Sequence, residues 1–164
     1  MDDLLRFING LIDEEAPIAM NKKITREEEA AWLEKELSSL KRGESIELVA
    51  EVDGRVVAHG GIRRHGFRES HVGTLGMGVS KGYRDAGIGT ALLTALLEKA
   101  RDAGLRLIDL EVFAGNGRAI HVYRKAGFRM AGRYPGKVSY KSRYVDVVLM
   151  VRGIEGRPVA AARP

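Results

Sequence analysis

The chain has 164 residues, 45% of them hydrophobic, which is enough for one domain with a substantial core. It contains no cysteine, and this excludes a disulfide framework, a thiolate zinc site and a cysteine nucleophile. The net charge of +5 is concentrated in a basic C-terminal part, from Arg124 onward, which could meet an anionic cofactor or a nucleic acid. Because the N-terminus lacks the basic stretch of a signal peptide and no apolar run approaches the ~20 residues of a membrane span, we expect a cytoplasmic protein.

The first two predicted elements are helices. The first covers roughly residues 2–12, and the loop APIAMNKK follows it. Thr25 and Glu28 have the spacing of a capping box and predict the start of the second helix. The apolar spacing of that helix predicts a buried stripe formed by Ala30, Leu33, Leu37 and Leu40.

Three strands are predicted next. Apolar alternation on both sides of Asp53-Gly54 predicts a hairpin over residues 45–64 with a tight turn. The segment HVGTLGMGVS, residues 71–80, is the third strand, and its three glycines predict a β-bulge. Such a bulge would splay the strand from its neighbour and leave main-chain groups unpaired.

Helices and strands alternate in the rest of the chain, at residues 87–103 (helix), 106–113 (strand), 117–126 (helix), 127–133 (strand) and 143–152 (strand). This order predicts an α/β (α+β) fold, with a mixed, mostly antiparallel sheet of six or seven strands flanked by about four helices. We expect residues 1–152 to form a single domain and residues 153–164 to be a loose C-terminal tail.

A glycine-rich loop opens the predicted helix at residues 87–103. It cannot be a P-loop, because Ile88-Gly89 stands where lysine and serine or threonine are required. It also lacks the third glycine of the dinucleotide fingerprint, where Leu92 stands. The remaining pattern, Arg84-x-x-Gly87-x-Gly89, exposes N–H groups at a helix N-terminus, which can hold a pyrophosphate without metal, with Arg84 as a nearby cation.

The neighbouring strand extends this interpretation. A splayed strand can pair with a linear, amide-bearing ligand through Met77, Gly78 and Val79. A ligand that carries both a pyrophosphate and an extended diamide arm is coenzyme A. A metal site is not predicted, because the four histidines show no ligand spacing.

Two motifs in this order resemble the GNAT superfamily of acetyl-CoA-dependent N-acetyltransferases. The loop from Arg84 to Gly89 resembles its Q/R-x-x-G-x-G/A motif, and LEVFAGNGRAIHVYRKAGF, residues 110–128, resembles its following strand, loop and helix. The resemblance covers roughly residues 45–152 and implies a sheet splayed at its centre. The segments GFRMAGRYPG and SRYVDVVLMV resemble a subgroup that holds small-molecule amine, amino-acid-analogue and ribosomal-protein acetyltransferases, and a homodimer through the last strand is conceivable.

The resemblance also implies which residues hold the acetyl donor. Met77, Gly78 and Val79 would pair with the pantetheine arm, and Asn116 would bond to it from the other strand. Asn116 also fits the N-cap of the next helix. The main chain of the glycine loop would hold the pyrophosphate through Arg84, Asp85, Ala86, Gly87, Ile88, Gly89 and Thr90.

The implied chemistry is direct attack of an amine on the thioester, which needs a base, an oxyanion donor and an acid. The resemblance gives these roles to Glu111, to the Val79 N–H and to Tyr123, which would also contact the bound donor beside its sulfur. His71, the more weakly supported Glu69 and ordered water remain open alternatives as base, and Tyr123 could instead be a core residue.

The predicted function is therefore transfer of acetyl from acetyl-CoA to a primary amine, without metal. The acceptor stays open between a small molecule and a protein N-terminus or lysine; Met20 and Asn21 of the loop APIAMNKK are candidate acceptor-side residues. A non-catalytic acyl-CoA-binding regulator is the main alternative. A basic nucleic-acid-binding module is the weakest alternative, because no series of aromatic residues accompanies the basic ones.

Overall fold

A computed structural model describes residues 2–154. The helices are α1 (Asp2–Asp13), α2 (Arg26–Lys41), α3 (Ile88–Asp102) and α4 (Gly117–Lys125), and the strands are β1 (Ser45–Val52), β2 (Arg55–Arg64), β3 (Val72–Val79), β4 (Leu107–Phe113), β5 (Arg129–Tyr140) and β6 (Arg143–Gly153). The strands form one sheet in the order β1-β2-β3-β4-β6-β5. Only the β3–β4 pair is parallel among these neighbours. The predicted fold class is confirmed.

The main core lies on one face of the sheet, which we call the core face. The helices α3 and α4 pack there, because the apolar stripe of α3 meets alternate side chains of five strands. Each fully buried leucine or isoleucine stabilises the fold by roughly 1.5–3 kcal/mol. The largest fully buried apolar side chains of this core include Ile62, Leu93, Leu96, Ile108, Leu110 and Met150.

The opposite face, which we call the open face, carries α1 and α2 over β1 and β2. The predicted apolar stripe of α2 is wrong: Leu37 is 49% exposed and Leu40 36%. The helix instead buries Glu29, Glu36 and Ser39 on the side that faces the sheet. The Arg63 guanidinium, for example, donates to Glu36 Oε2 at 2.7 Å.

Two local predictions are confirmed. The Thr25 hydroxyl accepts from the Glu28 N–H at 3.2 Å, and the Glu28 carboxylate accepts from the Thr25 N–H at 2.8 Å, which completes the capping box. Asp53 and Gly54 have φ of 50° and 71°, as a primed hairpin turn requires. No helix within residues 2–154 is long and apolar enough to cross a bilayer.

The last two strands are longer than predicted. β5 continues to Tyr140 instead of ending at residue 133, and its pairing with β6 shifts register twice. β6 reaches Gly153, and Ile154 is only 5% exposed, so the predicted tail cannot begin at residue 153. The rest of that predicted tail, residues 155–164, lies outside the described residues.

Candidate active site

A cleft separates β3 from β4 at the centre of the sheet. The two strands pair at only three positions, the last of them Thr74 with Asp109. Beyond this point β3 follows β2 and β4 follows β6, so the strands diverge. The β2–β3 register runs without a shift from Gly73 to Val79, so the predicted bulge is wrong. The strands separate without it, because each keeps a complete ladder with its other neighbour.

The ladder shows which main-chain groups of β3 face the cleft. The Ser80 N–H donates to the Val57 carbonyl at 2.9 Å, and the His65 N–H donates to the Val72 carbonyl at 3.0 Å. Because antiparallel pairs alternate, every second residue of β3 bonds to β2 and the others turn their N–H and C=O away from it. The residues that face the cleft in this way are Leu75, Met77 and Val79.

This alternation refines the predicted contacts on β3. Met77 and Val79 present their main-chain groups to the cleft, whereas those of Gly78 are engaged with β2. A Cβ at Gly78 would lie 2.8 Å from Leu11 Cδ1, so this glycine instead allows α1 to approach the sheet. Leu75 was missed, although the period of two in the strand already places it with Met77 and Val79.

The glycine loop opens α3 beside the end of the cleft. Gly87 is the N-cap with φ of +80°, and no side chain caps the helix. The N–H groups of the first turn therefore lack intrahelical acceptors and carry the positive end of the helix dipole. A Cβ at Gly89 would lie 3.4 Å from the Val79 side chain, so the helix start packs directly on β3. Apart from its chain neighbours, no atom of the described residues lies within 4 Å of a Cβ built at Gly87, which leaves room for an anion.

The Arg84 side chain, predicted as a cation near the pyrophosphate, is engaged by two partners within the chain. Its Nε donates to the Val79 carbonyl at 2.8 Å, and its guanidinium forms an ion pair with Glu14. The two side chains are only 24% and 16% exposed. Arg84 therefore joins the end of β3 to the chain segment that follows α1.

Asn116 and Tyr123 lie on α4, on the core face. The Asn116 side chain accepts from the Ala119 N–H at 3.2 Å, which confirms the predicted N-cap. Tyr123 is 7% exposed and packs against the Phe128 ring, with 5.7 Å between centroids. Burial raises the pKa of Tyr123 to about 12. The phenol is therefore fully protonated at neutral pH.

Glu111 lies on the opposite side of the cleft from Tyr123. The side chains of β4 alternate, with Leu110 and Val112 buried in the core face and Glu111 pointing to the open face. The Glu111 carboxylate is 51% exposed and forms an ion pair with Lys137. The sheet therefore places a carboxylate on one face of the cleft and a phenol on the other.

The alternative bases are far from this point. His71 precedes β3, whereas the cleft opens toward Val79, about 26 Å away along a strand that rises roughly 3.3 Å per residue. Glu69 is held by His65, with 2.9 Å between its Oε2 and the ring Nδ1. The structure brings neither residue to the cleft.

The segment after α1 approaches the other side of the cleft. The Tyr140 hydroxyl donates to the Glu15 carbonyl at 2.6 Å, and Lys141 pairs with the Glu15 carboxylate at 2.8 Å. With the contact between Glu14 and Arg84, this segment touches both the β3 side and the β5–β6 hairpin. Met20 and Asn21, the predicted acceptor-side residues, are exposed in the same loop.

Three basic residues of the β5–β6 hairpin form ion pairs. Arg133 pairs with Asp146 at 2.6 Å, Lys141 pairs with Glu15 at 2.8 Å and Lys137 pairs with Glu111. These three cations are therefore already engaged, which weakens the case for a nucleic-acid surface on the hairpin. Within residues 2–154, no group of three or more His, Asp or Glu could hold a metal ion.

Comparisons with known proteins agree with this geometry. The acetyltransferase (GNAT) family model matches residues 10–128. The L-amino acid N-acetyltransferase AaaT of Escherichia coli (strain K12) is 37% identical over 109 residues, which are 65% of this chain and 67% of that protein. The structure of a ribosomal-protein-alanine N-acetyltransferase from Brucella melitensis superposes with a TM-score of 0.81 at 27% identity, covering 92% of this chain and 91% of that chain.

A third comparison extends the likeness of the fold. The structure of yncA from Salmonella typhimurium with its cofactor acetyl-CoA has a TM-score of 0.81 at 18% identity and covers 98% of this chain and 91% of that chain. The family model alone matches well over half of the sequence. This chain therefore belongs to the acetyltransferase (GNAT) family.

Proposed function

We propose that this protein transfers the acetyl group of acetyl-CoA to a primary amine by direct attack in a ternary complex, without metal. The observation that carries the proposal is the cleft, which has free main-chain donors along β3, a carboxylate on one face and a protonated phenol on the other. The relative that acts on L-amino acids and the family member solved with acetyl-CoA support the same chemistry.

The residues present fit the acetyl donor. Met77 offers its N–H and C=O, and Val79 its N–H, to an extended amide-bearing arm, as a further strand would; the Val79 carbonyl already accepts from Arg84 Nε. The Asn116 amide lies at the start of α4, and Tyr123 lies on the core face where the sulfur would be. The diphosphate would be held by the main chain of the loop, which comprises Arg84, Asp85, Ala86, Gly87, Ile88, Gly89 and Thr90.

A residue of the cleft can be assigned to each step of the transfer. Glu111 takes a proton from the acceptor ammonium on the open face, which exposes the lone pair for attack. The Val79 N–H stabilises the developing oxyanion from β3. Tyr123, which is protonated at neutral pH, gives its proton to the departing sulfur. The attacking nitrogen sheds its surplus proton as the tetrahedral intermediate collapses, and this proton restores the phenol through solvent.

Binding and turnover test the proposal in order. Acetyl-CoA should raise the melting temperature without any divalent cation, and an amine panel should then release free thiol. Binding without thiol release from any amine would favour the non-catalytic alternative. Absence of both would overturn the proposal.

The role of Glu111 has its own test. Glu111→Gln should lower kcat by roughly 100-fold, the order of a general-base contribution, and leave the Kd for acetyl-CoA unchanged. The deficit should shrink as pH rises, because more of the acceptor is already a free amine. The matched control is Asp109→Asn, two residues earlier on the same face of β4. A variant that keeps wild-type kcat would remove Glu111 from the mechanism.

A further inference from the structure

Two opposite charges stand side by side at the open face of the cleft. Lys137 Nζ donates to Glu111 Oε1, and the side chains are 35% and 51% exposed. Glu111 lies on β4 beyond the last residue that pairs with β3. The pair is therefore within reach of a molecule that enters the cleft from this face.

The β5–β6 hairpin fixes Lys137 in this position. Register shifts between Tyr134 and Val138, so the chain bulges there and re-aims the intervening residues. Asp146 stabilises the bulge, because its carboxylate accepts from the Gly136 N–H at 2.8 Å and from Arg133 Nε at 2.6 Å. Lys137 follows directly, with its Nζ 5.5 Å from the centroid of the Tyr134 ring.

We propose that the acceptor is a free α-amino acid, whose ammonium binds Glu111 and whose carboxylate binds Lys137. This inference rests on the proposed function and names its substrate class. An α-amino acid carries one positive and one negative group, because its ammonium and its carboxylate are attached to the same α-carbon. Its binding therefore gives Glu111 and Lys137 each a new partner of opposite charge, and neither side chain is left unpaired in the cleft.

The same geometry disfavours other amines. A peptide N-terminus has a neutral carbonyl where the amino acid has its carboxylate, so the Lys137 ammonium would lose Glu111 without gaining a charged partner. A diamine would bring a second positive charge toward Lys137. The Tyr134 ring helps to hold the lysine in place when Glu111 turns to the substrate, through a cation–π contact.

The test compares each amino acid with its own carboxamide. For the best substrate in a panel of L-amino acids, wild type should show a kcat/KM at least 10-fold above that of the carboxamide, compared at equal concentrations of free amine. Lys137→Met should lower kcat/KM for the acid by about 10- to 100-fold, the loss expected for one charge-assisted hydrogen bond. It should change the value for the carboxamide little, and Lys137→Arg should keep the preference.

Controls separate this inference from the proposed function. Lys99→Met makes the same change on the exposed last turn of α3 and should leave the ratio of acid to carboxamide unchanged. The inference fails if Lys137→Met leaves that ratio unchanged, if dipeptides outperform amino acids, or if mass spectrometry shows that Lys137 itself becomes acetylated. In each of those cases turnover of some amine still upholds the acetyltransferase, whereas no binding of acetyl-CoA and no thiol release with any amine would overturn both.

Discussion

Tyr123→Phe tests both the proposed role of Tyr123 as proton donor and the burial of its side chain. The substitution removes the phenol O–H and keeps the ring that packs against Phe128. Burial raises the pKa of Tyr123 from 10.0 to about 12, because the ionised phenolate would be poorly solvated in the core. The unfolded chain therefore loses this proton near pH 10, and the folded protein loses it only near pH 12.

The sign and size of the effect follow from this difference. Between these two pH values the unfolded state binds fewer protons than the folded state, so the free energy of unfolding decreases as pH rises. The stabilisation is fully present below pH 10 and is lost as pH rises through 12. The loss amounts to about 1.4 kcal/mol at pH 11 and approaches about 2.7 kcal/mol above pH 12, since one pKa unit corresponds to 1.36 kcal/mol.

Urea unfolding of both proteins at pH 8 and pH 11 measures this quantity. Between the two pH values, wild type should lose about 1.4 kcal/mol more than Tyr123→Phe, because all other tyrosines are common to both. At pH 8 the variant should turn over roughly 100-fold more slowly, with an unchanged Kd for acetyl-CoA. Equal alkaline losses would refute the buried phenol, and full turnover would refute its role as proton donor.

Three further sets of substitutions test other parts of the structure. Gly87→Glu and Gly104→Glu both strain a left-handed position, one at each end of α3. Only Gly87→Glu should weaken acetyl-CoA binding, by more than 10-fold in calorimetry, because it places a negative charge where the diphosphate would bind. Equal affinities of the two variants would contradict binding of the diphosphate at this loop. Glu14→Gln should lower the free energy of unfolding by about 1.5–3 kcal/mol, and Arg84→Met should lower it by more, because it also removes the donor to the Val79 carbonyl. The double variant should lose no more than Arg84→Met alone, since the ion pair is common to both changes, and additive losses would argue against the pair. Leu37→Ser should change the free energy of unfolding by less than about 0.5 kcal/mol, because Leu37 is half exposed. A larger loss would indicate that Leu37 belongs to a buried apolar stripe, as the sequence predicted.

Local chemistry was predictable because it depends on neighbours in the sequence. The Thr25–Glu28 box, the Asp53-Gly54 turn and the Asn116 cap each involve residues within three positions, and each appears as expected. The alternation of β4, which places Glu111 opposite the core, follows from the period of a strand in the same way.

Long-range partners were not predictable. The partner of Arg84 is Glu14, seventy residues earlier, so no local pattern shows that this guanidinium is already engaged. In α2, Glu36 turns toward Arg63 of β2, 27 residues later in the chain, and Leu37 is left exposed, which the local apolar spacing could not show.

The Lys137 contact was missed for a related reason. The strand was predicted to end at residue 133, whereas in the structure it continues through a bulge at Pro135-Gly136 to Tyr140. The pairing of Gly136 with Asp146 on the next strand, which makes the bulge stable, becomes visible only once the register is known.

Amide hydrogen exchange with and without acetyl-CoA, in the absence of divalent cations, tests directly whether the cleft and the glycine loop bind the acetyl donor. The N–H groups of Met77, Val79 and Thr90 should become strongly protected, because the thioester arm and the diphosphate supply the acceptors that these groups lack. Gly76 and Gly78 should change little, since their N–H groups already bond to β2. Saturating ligand that leaves Met77, Val79 and Thr90 unprotected would contradict the cleft as the place where the acetyl group is held.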